Sequence, residues 1–305
     1  MHRFSGVRFA AVISVLACVL ALIPAFPASA TSYSSSNPDN YLTLGDSVTF
    51  GYNPLVLTQP RVKPRDFVGY PELASGLFRP KLKVVNASCP GETSTSLITG
   101  NMADDNGCQR FRLAIALHVS YQSTQLKYAE SYVAANRDLK FVSLMIGAND
   151  LFRLQDYCTT HAAQNANGCI IAGLPGLLFT LGKNLKTIYS GLRAAGYRGP
   201  FVAVTYYSTD YRDPIVTGAV AAVDGVLAGV TRAYGGKVAD GFGRFYRAAA
   251  SSGGNTCAAG LLIHLTSGSC DVHPSPAGAA LLASALFATV SPDRPAIEHR
   301  TVSQR

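Results

Sequence analysis

Four short runs in this chain contain the residue types that acyl transfer requires. They are Gly-Asp-Ser at 45–47, Cys-Pro-Gly-Glu-Thr at 89–93, Gly-Ala-Asn-Asp at 147–150 and Asp-Val-His-Pro at 271–274. A serine hydroxyl can attack an ester carbonyl, and an imidazole can take its proton. Amide and backbone N–H donors can stabilise the oxyanion that forms. The runs therefore predict acyl-transfer chemistry if the fold brings them together.

Short apolar runs alternate with longer amphipathic segments after residue 40. They predict strands at 41–45, 82–87, 140–147, 200–206 and 237–239, and helices near 66–78, 121–136, 174–194, 215–234 and 276–288. Strands that alternate with helices indicate βαβ units and a parallel sheet. Such sheets bind ligands at the carboxyl ends of their strands. Three of the four runs follow predicted strands and the fourth precedes the last helix, so we expect them at one sheet edge.

In these residues the chain resembles the GDSL, or SGNH, hydrolases, a family named for four residues in four sequence blocks. Positions 45–48 read Gly-Asp-Ser-Val, with Val48 where the family usually has leucine. Positions 147–150 match the G-x-N-D block in full, and Gly91 and His273 fit the other two blocks. The resemblance implies an α/β fold: a flavodoxin-like, three-layer α/β/α sandwich with a mainly parallel central sheet.

The resemblance also implies a role for each residue. Ser47 would be the nucleophile, and His273 would be the general base. The backbone N–H groups of Ser47 and Gly91 and the side-chain amide of Asn149 would form the oxyanion hole. Because this mechanism needs no metal and no cofactor, we expect neither.

The acid that would orient His273 departs from the family pattern. The family usually has aspartate three residues before the histidine, but that position is Cys270, and the nearest acid is Asp271, two residues before. Asp271 could still reach the imidazole from a reshaped turn and complete a triad. Alternatively, a backbone carbonyl orients the ring and leaves a Ser–His dyad. The sequence leaves both alternatives open.

The N-terminus has the features of a secretory signal peptide. Arg3 and Arg8 provide a basic start, an apolar stretch follows, and Ala-Ser-Ala at 28–30 is a typical cleavage site. A membrane anchor, or a lipid anchor on Cys18, is the alternative. We expect a signal peptide at 1–30, one hydrolase domain at 31–290 and a polar tail at 291–305, and thus a secreted protein.

Six cysteines remain after Cys18 leaves with the signal peptide. An even number in an exported chain indicates disulfide bonds. Proximity in sequence favours three pairs: Cys89 with Cys108, Cys158 with Cys169, and Cys257 with Cys270. A metal cluster would favour C-x-x-C spacings, and the sequence has none.

The charge pattern makes nucleic acid an unexpected partner. The formal net charge is +8, and it falls to +6 when Arg3 and Arg8 are removed. The basic residues are scattered, whereas nucleic-acid binding needs a concentrated patch. Mild attraction to anionic surfaces is still compatible with this charge.

An apolar segment and a group of three tyrosines bear on the substrate. Residues 169–181 are markedly apolar and could either line an acyl-chain pocket or pack in the core as part of a helix. Tyr206, Tyr207 and Tyr211 follow the fourth predicted strand and could either line the pocket or pack at a loop.

The sequence therefore favours a secreted serine ester hydrolase that acts on lipid or fatty-acyl esters. A carbohydrate acetylesterase is the alternative enzyme, and a catalytically inactive secreted binding module is the alternative from another class. The expected partners are a small-molecule or lipid ester and a transiently contacted membrane or lipid surface. We expect a monomer.

Overall fold

The computed structural model describes residues 39–291. The predicted signal peptide at 1–30 lies outside the described residues, and so does the predicted tail apart from Ser291. The boundaries of the domain predicted at 31–290 therefore stay a prediction.

Within residues 39–291, seven strands form two sheets. They are β1 (Asn40–Gly45), β2 (Lys83–Asn86), β3 (Val142–Met145), β4 (Phe201–Val204), β5 (Lys237–Ala239), β6 (Leu262–His264) and β7 (Cys270–Pro274). The first five form a parallel sheet in the order β2-β1-β3-β4-β5, and β6 and β7 form an antiparallel pair. All residues of β3 and β4 are buried, as expected for parallel strands that are covered on both faces.

Ten α-helices accompany these strands in the described part of the chain. They are α1 (Ser47–Phe50), α2 (Tyr70–Ser75), α3 (Ser96–Thr99), α4 (Cys108–Ala114), α5 (Gln125–Ala135), α6 (Ala148–His161), α7 (Ala166–Ala194), α8 (Pro214–Ala233), α9 (Gly241–Ala249) and α10 (Pro276–Val290). Helices α2, α9 and α10 pack together on one side of the sheet, whereas α5, α7 and α8 pack on the other, with α6 against α7. This is the predicted three-layer α/β/α sandwich, and the fold prediction is confirmed.

The two long helices that flank β4 and β5 begin at clear local signals. Asp213 caps α8 by accepting hydrogen bonds from the N–H groups of Ile215 and Val216. Ser275 caps α10 by accepting from the N–H of Gly278. A proline occupies the first position of each helix, where its missing N–H costs nothing. These caps place α10 directly after β7, the strand that contains His273.

Several elements differ from the sequence-based prediction. The helix predicted at 66–78 is only Tyr70–Ser75, and the helix predicted from 174 begins at Ala166. Pro175, a residue typical of a first turn, lies inside that helix. Helices α6 and α9 and the β6–β7 pair were not predicted, because each immediately follows or precedes a turn motif without a long apolar run.

Among the described residues, three disulfide bonds connect these elements. They join Cys89 to Cys108, Cys158 to Cys169, and Cys257 to Cys270, the three pairs that proximity favours. The second bond ties α6 to the first turn of α7. The third bond ties the segment before β6 to the start of β7.

The strand order defines where a ligand is expected. In the order 2-1-3-4-5 the chain leaves β1 toward one side of the sheet and β3 toward the other, which opens a crevice between them. Ser47 follows β1 and Asn149 follows β3. The crevice therefore has two of the predicted site residues at its mouth.

Candidate active site

Ser47 is the first residue of α1, immediately beyond β1. The side chain of Asp46 caps this short helix by accepting a hydrogen bond from the N–H of Val48 at 3.0 Å. Gly45 has a φ of +149°, and a Cβ there would lie 2.4 Å from the carbonyl oxygen of Met145. A glycine is therefore needed where β1 turns sharply into α1.

His273 lies on β7, and its imidazole meets Ser47. The distance from His273 Nε2 to Ser47 Oγ is 2.7 Å, which is hydrogen-bonding distance. The hydroxyl of Tyr207 donates to the carbonyl of Val272 at 2.7 Å and holds β7 against the end of β4. The ring of Tyr52 lies 4.7 Å from the imidazole, centroid to centroid. The base is thus fixed by contacts on both sides.

The carboxylate of Asp271 contacts Nδ1 of the same imidazole. Its Oδ1 also accepts the backbone N–H of His273 at 3.0 Å. Burial alone would raise the pKa of Asp271, but the hydrogen bonds and the charge of His273 lower it overall. Of the two alternatives for orienting His273, the described geometry contains the carboxylate contact and not a backbone carbonyl.

Asn149 and Gly91 approach the serine from two further elements. Asn149 is buried near the start of α6, and its Nδ2 donates to the carbonyl of Glu92 at 3.0 Å. Asn106 Nδ2 donates to Asn149 Oδ1 at 2.9 Å, which orients the amide with its NH₂ group toward the site. Gly91 has a φ of +84°, and a Cβ there would lie 2.5 Å from the carbonyl oxygen of Asn106. Both residues line an open groove beside Ser47.

Asp46 does more than cap α1. It is fully buried and accepts hydrogen bonds from the hydroxyl of Tyr206 and, at 3.4 Å, from Asn149 Nδ2. Burial raises the pKa of Asp46 to about 6, although the hydrogen bonds from Tyr206 and Val48 lower it. The carboxyl therefore links the ends of β1, β3 and β4 beneath the serine.

Asp150 contacts a residue that is far from it in sequence. Its carboxylate accepts hydrogen bonds from the N–H of Ser94 at 2.8 Å and from the hydroxyl of Ser94 at 2.6 Å. These bonds tie α6 to the loop that contains Gly91.

Gln125 and Glu92 form a buried connection that the sequence does not reveal. Gln125 exchanges two hydrogen bonds with the backbone of Gly45, at 2.7 and 3.0 Å, and its Nε2 also donates to Glu92 at 3.0 Å. Burial raises the pKa of Glu92 to about 7, against the hydrogen bonds from Ser96 and Gln125, which lower it. The connection links Gly45, the first residue of Gly-Asp-Ser, to Glu92, the residue after Gly91. Gln125 looks like an ordinary helical residue in the sequence, so nothing there marks it.

A cavity of about 250 Å³ opens next to Ser47. Its walls are mainly apolar and come from α6, the end of β4 and α8: Leu151, Phe152, Tyr206, Tyr207, Val216, Val220 and Val223. None of the described residues 169–181 is among its lining residues, so the idea that this segment forms an acyl-pocket wall is wrong. Tyr206 and Tyr207 line the cavity, whereas Tyr211 packs against Phe242 and Tyr246.

The groove on the other side of Ser47 is more polar and more open. Its lining includes Tyr52, Gly91, Asn106, Asp271 and His273. The serine hydroxyl therefore lies between an apolar cavity and a polar groove.

Neither cavity beside Ser47 has a cysteine or a histidine other than His273 among its lining residues in the described part of the chain. His118 Nε2 lies 2.9 Å from the carbonyl of Phe50, and His161 Nδ1 lies 3.0 Å from the carbonyl of Tyr157. Two groups of metal-ligand residue types lie within the described residues, and each includes both cysteines of a disulfide. Sulfur atoms in a disulfide are not thiolates, and the thiolate is the form that binds metals.

Comparisons with known proteins identify the family and support the fold. The model of the GDSL-like Lipase/Acylhydrolase family matches residues 43–281. A comparison with curated protein sequences gave no match.

Three solved structures illustrate the structural likeness. Phospholipase A1 from Streptomyces albidoflavus is 19% identical, with 83% of this chain and 99% of that chain covered and a TM-score of 0.53. An extracellular lipase from Streptomyces rimosus is 17% identical, with 82% and 99% covered and a TM-score of 0.53. A mutant acetyl-xylooligosaccharide esterase from Geobacillus is 18% identical, with 84% and 95% covered and a TM-score of 0.52.

Likeness at such identities shows the fold, whereas the family match extends from β1 to α10 and includes all four sequence blocks. The chain therefore belongs to the GDSL-like Lipase/Acylhydrolase family and is a carboxylic ester hydrolase.

Proposed function

We propose that Ser47, His273 and Asp271 act as a catalytic triad that hydrolyses esters of apolar acyl groups. The observation that carries the proposal is the 2.7 Å contact between Ser47 Oγ and His273 Nε2 at the mouth of an apolar cavity. Asp271 accepts a hydrogen bond from Nδ1 and so keeps the N–H proton of the neutral imidazole there. The lone pair of Nε2 then faces the serine hydroxyl.

During acylation, His273 would first take a proton from Ser47 and then give it to the leaving alcohol. Ser47 Oγ attacks the ester carbonyl while its proton passes to His273 Nε2. The tetrahedral intermediate then collapses, the C–O bond to the alcohol breaks, and the alcohol takes the proton from Nε2. Water repeats the sequence on the acyl-enzyme and releases the acid and the free serine.

The oxyanion would be stabilised by three donors. They are the backbone N–H of Ser47, the backbone N–H of Gly91 and Nδ2 of Asn149. One hydrogen of that amide is bonded to Glu92 at 3.0 Å, while the contact of the other with Asp46 is long, at 3.4 Å. The second hydrogen is therefore available to a stronger acceptor. One such donor is typically worth about 2.7–4 kcal/mol in the transition state.

The two spaces beside Ser47 suit the two halves of an ester. The apolar cavity suits the acyl group, and the polar groove suits the alcohol. A volume of about 250 Å³ lies just below the ~300–1,000 Å³ usual for small-molecule pockets. The acyl group is therefore short or medium in length, and a longer lipid chain would extend out of the cavity mouth.

Features of the whole chain support the proposed location of the enzyme. Three disulfide bonds and the signal-like N-terminus support secretion. We propose a secreted monomer that acts outside the cell.

Two measurements test this function together. A fluorophosphonate probe should label the disulfide-intact protein and fail to label Ser47→Ala. Hydrolysis of nitrophenyl esters from acetyl to palmitoyl should be fastest at a short or medium acyl length and should disappear in Ser47→Ala. Equal labelling of the wild type and the variant, or no labelling of either, would refute the assignment of the nucleophile.

A carbohydrate acetylesterase remains the second candidate. The polar groove lined by Tyr52, Asn106 and Asp271 favours it, since a sugar alcohol needs hydrogen-bonding partners. Release of acetate from acetylated oligosaccharides at a higher kcat/KM than from butyryl or octanoyl esters would establish this alternative.

A further inference from the structure

The outward face of α7 exposes large apolar side chains. Ile171 is 60% exposed and Phe179 is 77% exposed, and Ala172 and Pro175 lie on the same side of the helix between them. We call these four residues the α7 face. Exposed apolar residues are ordinary when scattered, but a contiguous group usually marks an interaction site.

The helices around this face are unusually apolar for their degree of burial. By length and composition α7, with its preceding turn, and α8 could each cross a membrane, but core helices of soluble proteins meet the same criterion. In the most apolar 18-residue stretch of α7 and its preceding turn, only 22% is buried, and in that of α8, 33% is buried. Core packing buries one side of α7 and leaves Ile171 and Phe179 exposed on the other.

The charges on these helices have one sign where they face solvent. The chain has no charged residue from 166 to 182, and Lys183 and Lys186 follow on the exposed side of α7. Arg232 is exposed on α8, and the single acid of that helix, Asp224, is buried. An apolar patch followed by lysines matches a surface that offers hydrocarbon and negative charge together.

The α7 face is continuous with the helices that form the cavity. Phe152 on α6 lines the cavity and is itself exposed, and α7 packs closely on both α6 and α8. A Cβ at Gly173 would lie 2.6 Å from Leu154, and the bond between Cys158 and Cys169 joins the same two helices. A surface that binds the α7 face thus lies beside the cavity mouth.

We propose that the α7 face docks the enzyme onto an anionic lipid surface, from which an acyl chain enters the cavity. This inference rests on the proposed function for its substrate but concerns a different set of residues. A second copy docked through the same face fits less well, because it would bring the lysines that follow the face on both copies together.

The test uses vesicle sedimentation with the full-length secreted protein. The wild type should bind phosphatidylglycerol-containing vesicles more tightly than pure phosphatidylcholine vesicles. Ile171→Ser with Phe179→Ser should lower the affinity for both by about tenfold or more, because two buried apolar side chains are lost from the contact. Lys183→Gln and Lys186→Gln should each lower the affinity for the anionic vesicles alone, by about fivefold.

Leu77→Ser is the matched control. Leu77 is 43% exposed and lies between α2 and β2, near the amino end of the strands, away from the site. This variant should bind vesicles as the wild type does. All variants should hydrolyse a soluble butyryl ester at the wild-type rate, because neither Ile171 nor Phe179 lines the cavity.

Four outcomes would overturn the docking proposal. They are absence of wild-type binding to either vesicle, wild-type binding by the double variant, an equal loss in the Leu77 control, and a wild-type dimer that the double variant abolishes in sedimentation velocity. Failure of the catalytic proposal would look different. In that case vesicle binding would depend on the α7 face while neither soluble nor vesicle esters were hydrolysed.

Discussion

Asp271 reaches the imidazole from a spacing that differs from the family pattern. Alternate residues of an extended strand point to the same side, so residues two apart share a face. Asp271 and His273 both lie on β7, whereas Val272 between them points the other way. On a strand, an aspartate two residues before the histidine can therefore reach the imidazole. The usual three-residue spacing does the same from a turn.

Replacing this carboxylate tests whether it orients the base. Asp271→Asn keeps an acceptor for the N–H of His273 but cannot stabilise the imidazolium, so kcat should fall by about 10²–10⁴-fold. KM for a butyryl ester should change little, because Asp271 does not line the apolar cavity. Steady-state kinetics at several pH values measures both parameters.

Asp156→Asn, at an exposed position on α6, is the control and should retain wild-type kinetics. A loss of less than threefold in Asp271→Asn would instead support a Ser–His dyad in which the carboxylate is dispensable.

At the scale of elements, the β6–β7 pair is what brings the base to the serine. His273 lies 226 residues after Ser47 in the chain, and its position on β7 places its imidazole beside the serine. The hairpin is short, and its start is held by the bond between Cys257 and Cys270, whose Cα atoms are 5.9 Å apart. The position of the imidazole thus depends on a cross-link near the end of a two-stranded ribbon.

Removal of that cross-link should affect both stability and activity. Cys257→Ala with Cys270→Ala should lower the free energy of unfolding by about 3 kcal/mol, since the bond closes a loop of 13 residues. It should also lower kcat by about tenfold or more at a temperature where the protein stays folded, because small displacements of a catalytic group are costly. Urea denaturation and ester hydrolysis measure the two effects.

Cys158→Ala with Cys169→Ala provides the comparison. This pair closes a loop of similar length, 11 residues, but joins α6 to α7 away from the imidazole. Its loss should cost similar stability and leave kcat nearly unchanged. Equal losses of kcat in both double variants would show that the β7 cross-link has no special role in placing His273.

At the scale of the whole molecule, several carboxyl groups are buried within one sandwich. Burial raises the pKa of Asp46 to about 6, of Glu92 to about 7 and of Asp224 to about 8, against hydrogen bonds that lower each of them. In the unfolded chain such groups titrate near pH 4. Between about pH 4 and 8 the native state therefore holds protons that the unfolded chain has released, so stability falls as the pH rises through this window. Asp271, whose pKa is lowered, contributes in the opposite sense, and its contribution is lost as the pH falls below its unfolded value.

Asp224→Asn tests this pH dependence. Asp224 Oδ1 accepts the N–H of Tyr206 at 2.8 Å, and an asparagine oxygen can keep that bond without ionising. Relative to the wild type, the variant should gain stability as the pH rises from 5 to 8, by up to about 1.4 kcal/mol per pH unit. Urea denaturation at pH 5, 6.5 and 8 measures the gain.

The comparison depends on the slope with pH and not on the absolute stability. Asp224 Oδ2 has no hydrogen-bond partner among the described residues, so the asparagine NH₂ group carries a constant cost at every pH. Asp138→Asn, an exposed carboxyl, should leave the slope unchanged. A wild-type slope in Asp224→Asn would mean that this carboxyl does not titrate in the window.

The sequence by itself indicated five central strands that alternate with helices, and its resemblance to the GDSL hydrolases implied the sandwich and the four residues that line the site. Periodicity revealed all five central strands, because parallel strands buried on both faces are continuous apolar runs. Short motifs next to strand or helix ends indicated four residues of the site: Ser47, Gly91, Asn149 and His273. Local patterns record local environments, and these features are local.

The tertiary structure alone decided how those residues are supported. The contact of Asp271 with His273 depends on β7, a strand that periodicity did not show. The link from Gln125 to Gly45 and Glu92 joins residues that are distant in sequence. So do the cavity walls, which come from α6 and α8. It also placed residues 169–181 away from the cavity lining and left Ile171 and Phe179 of that segment exposed. A sequence pattern shows that a face is apolar, but what covers that face is determined by the packing of the whole chain.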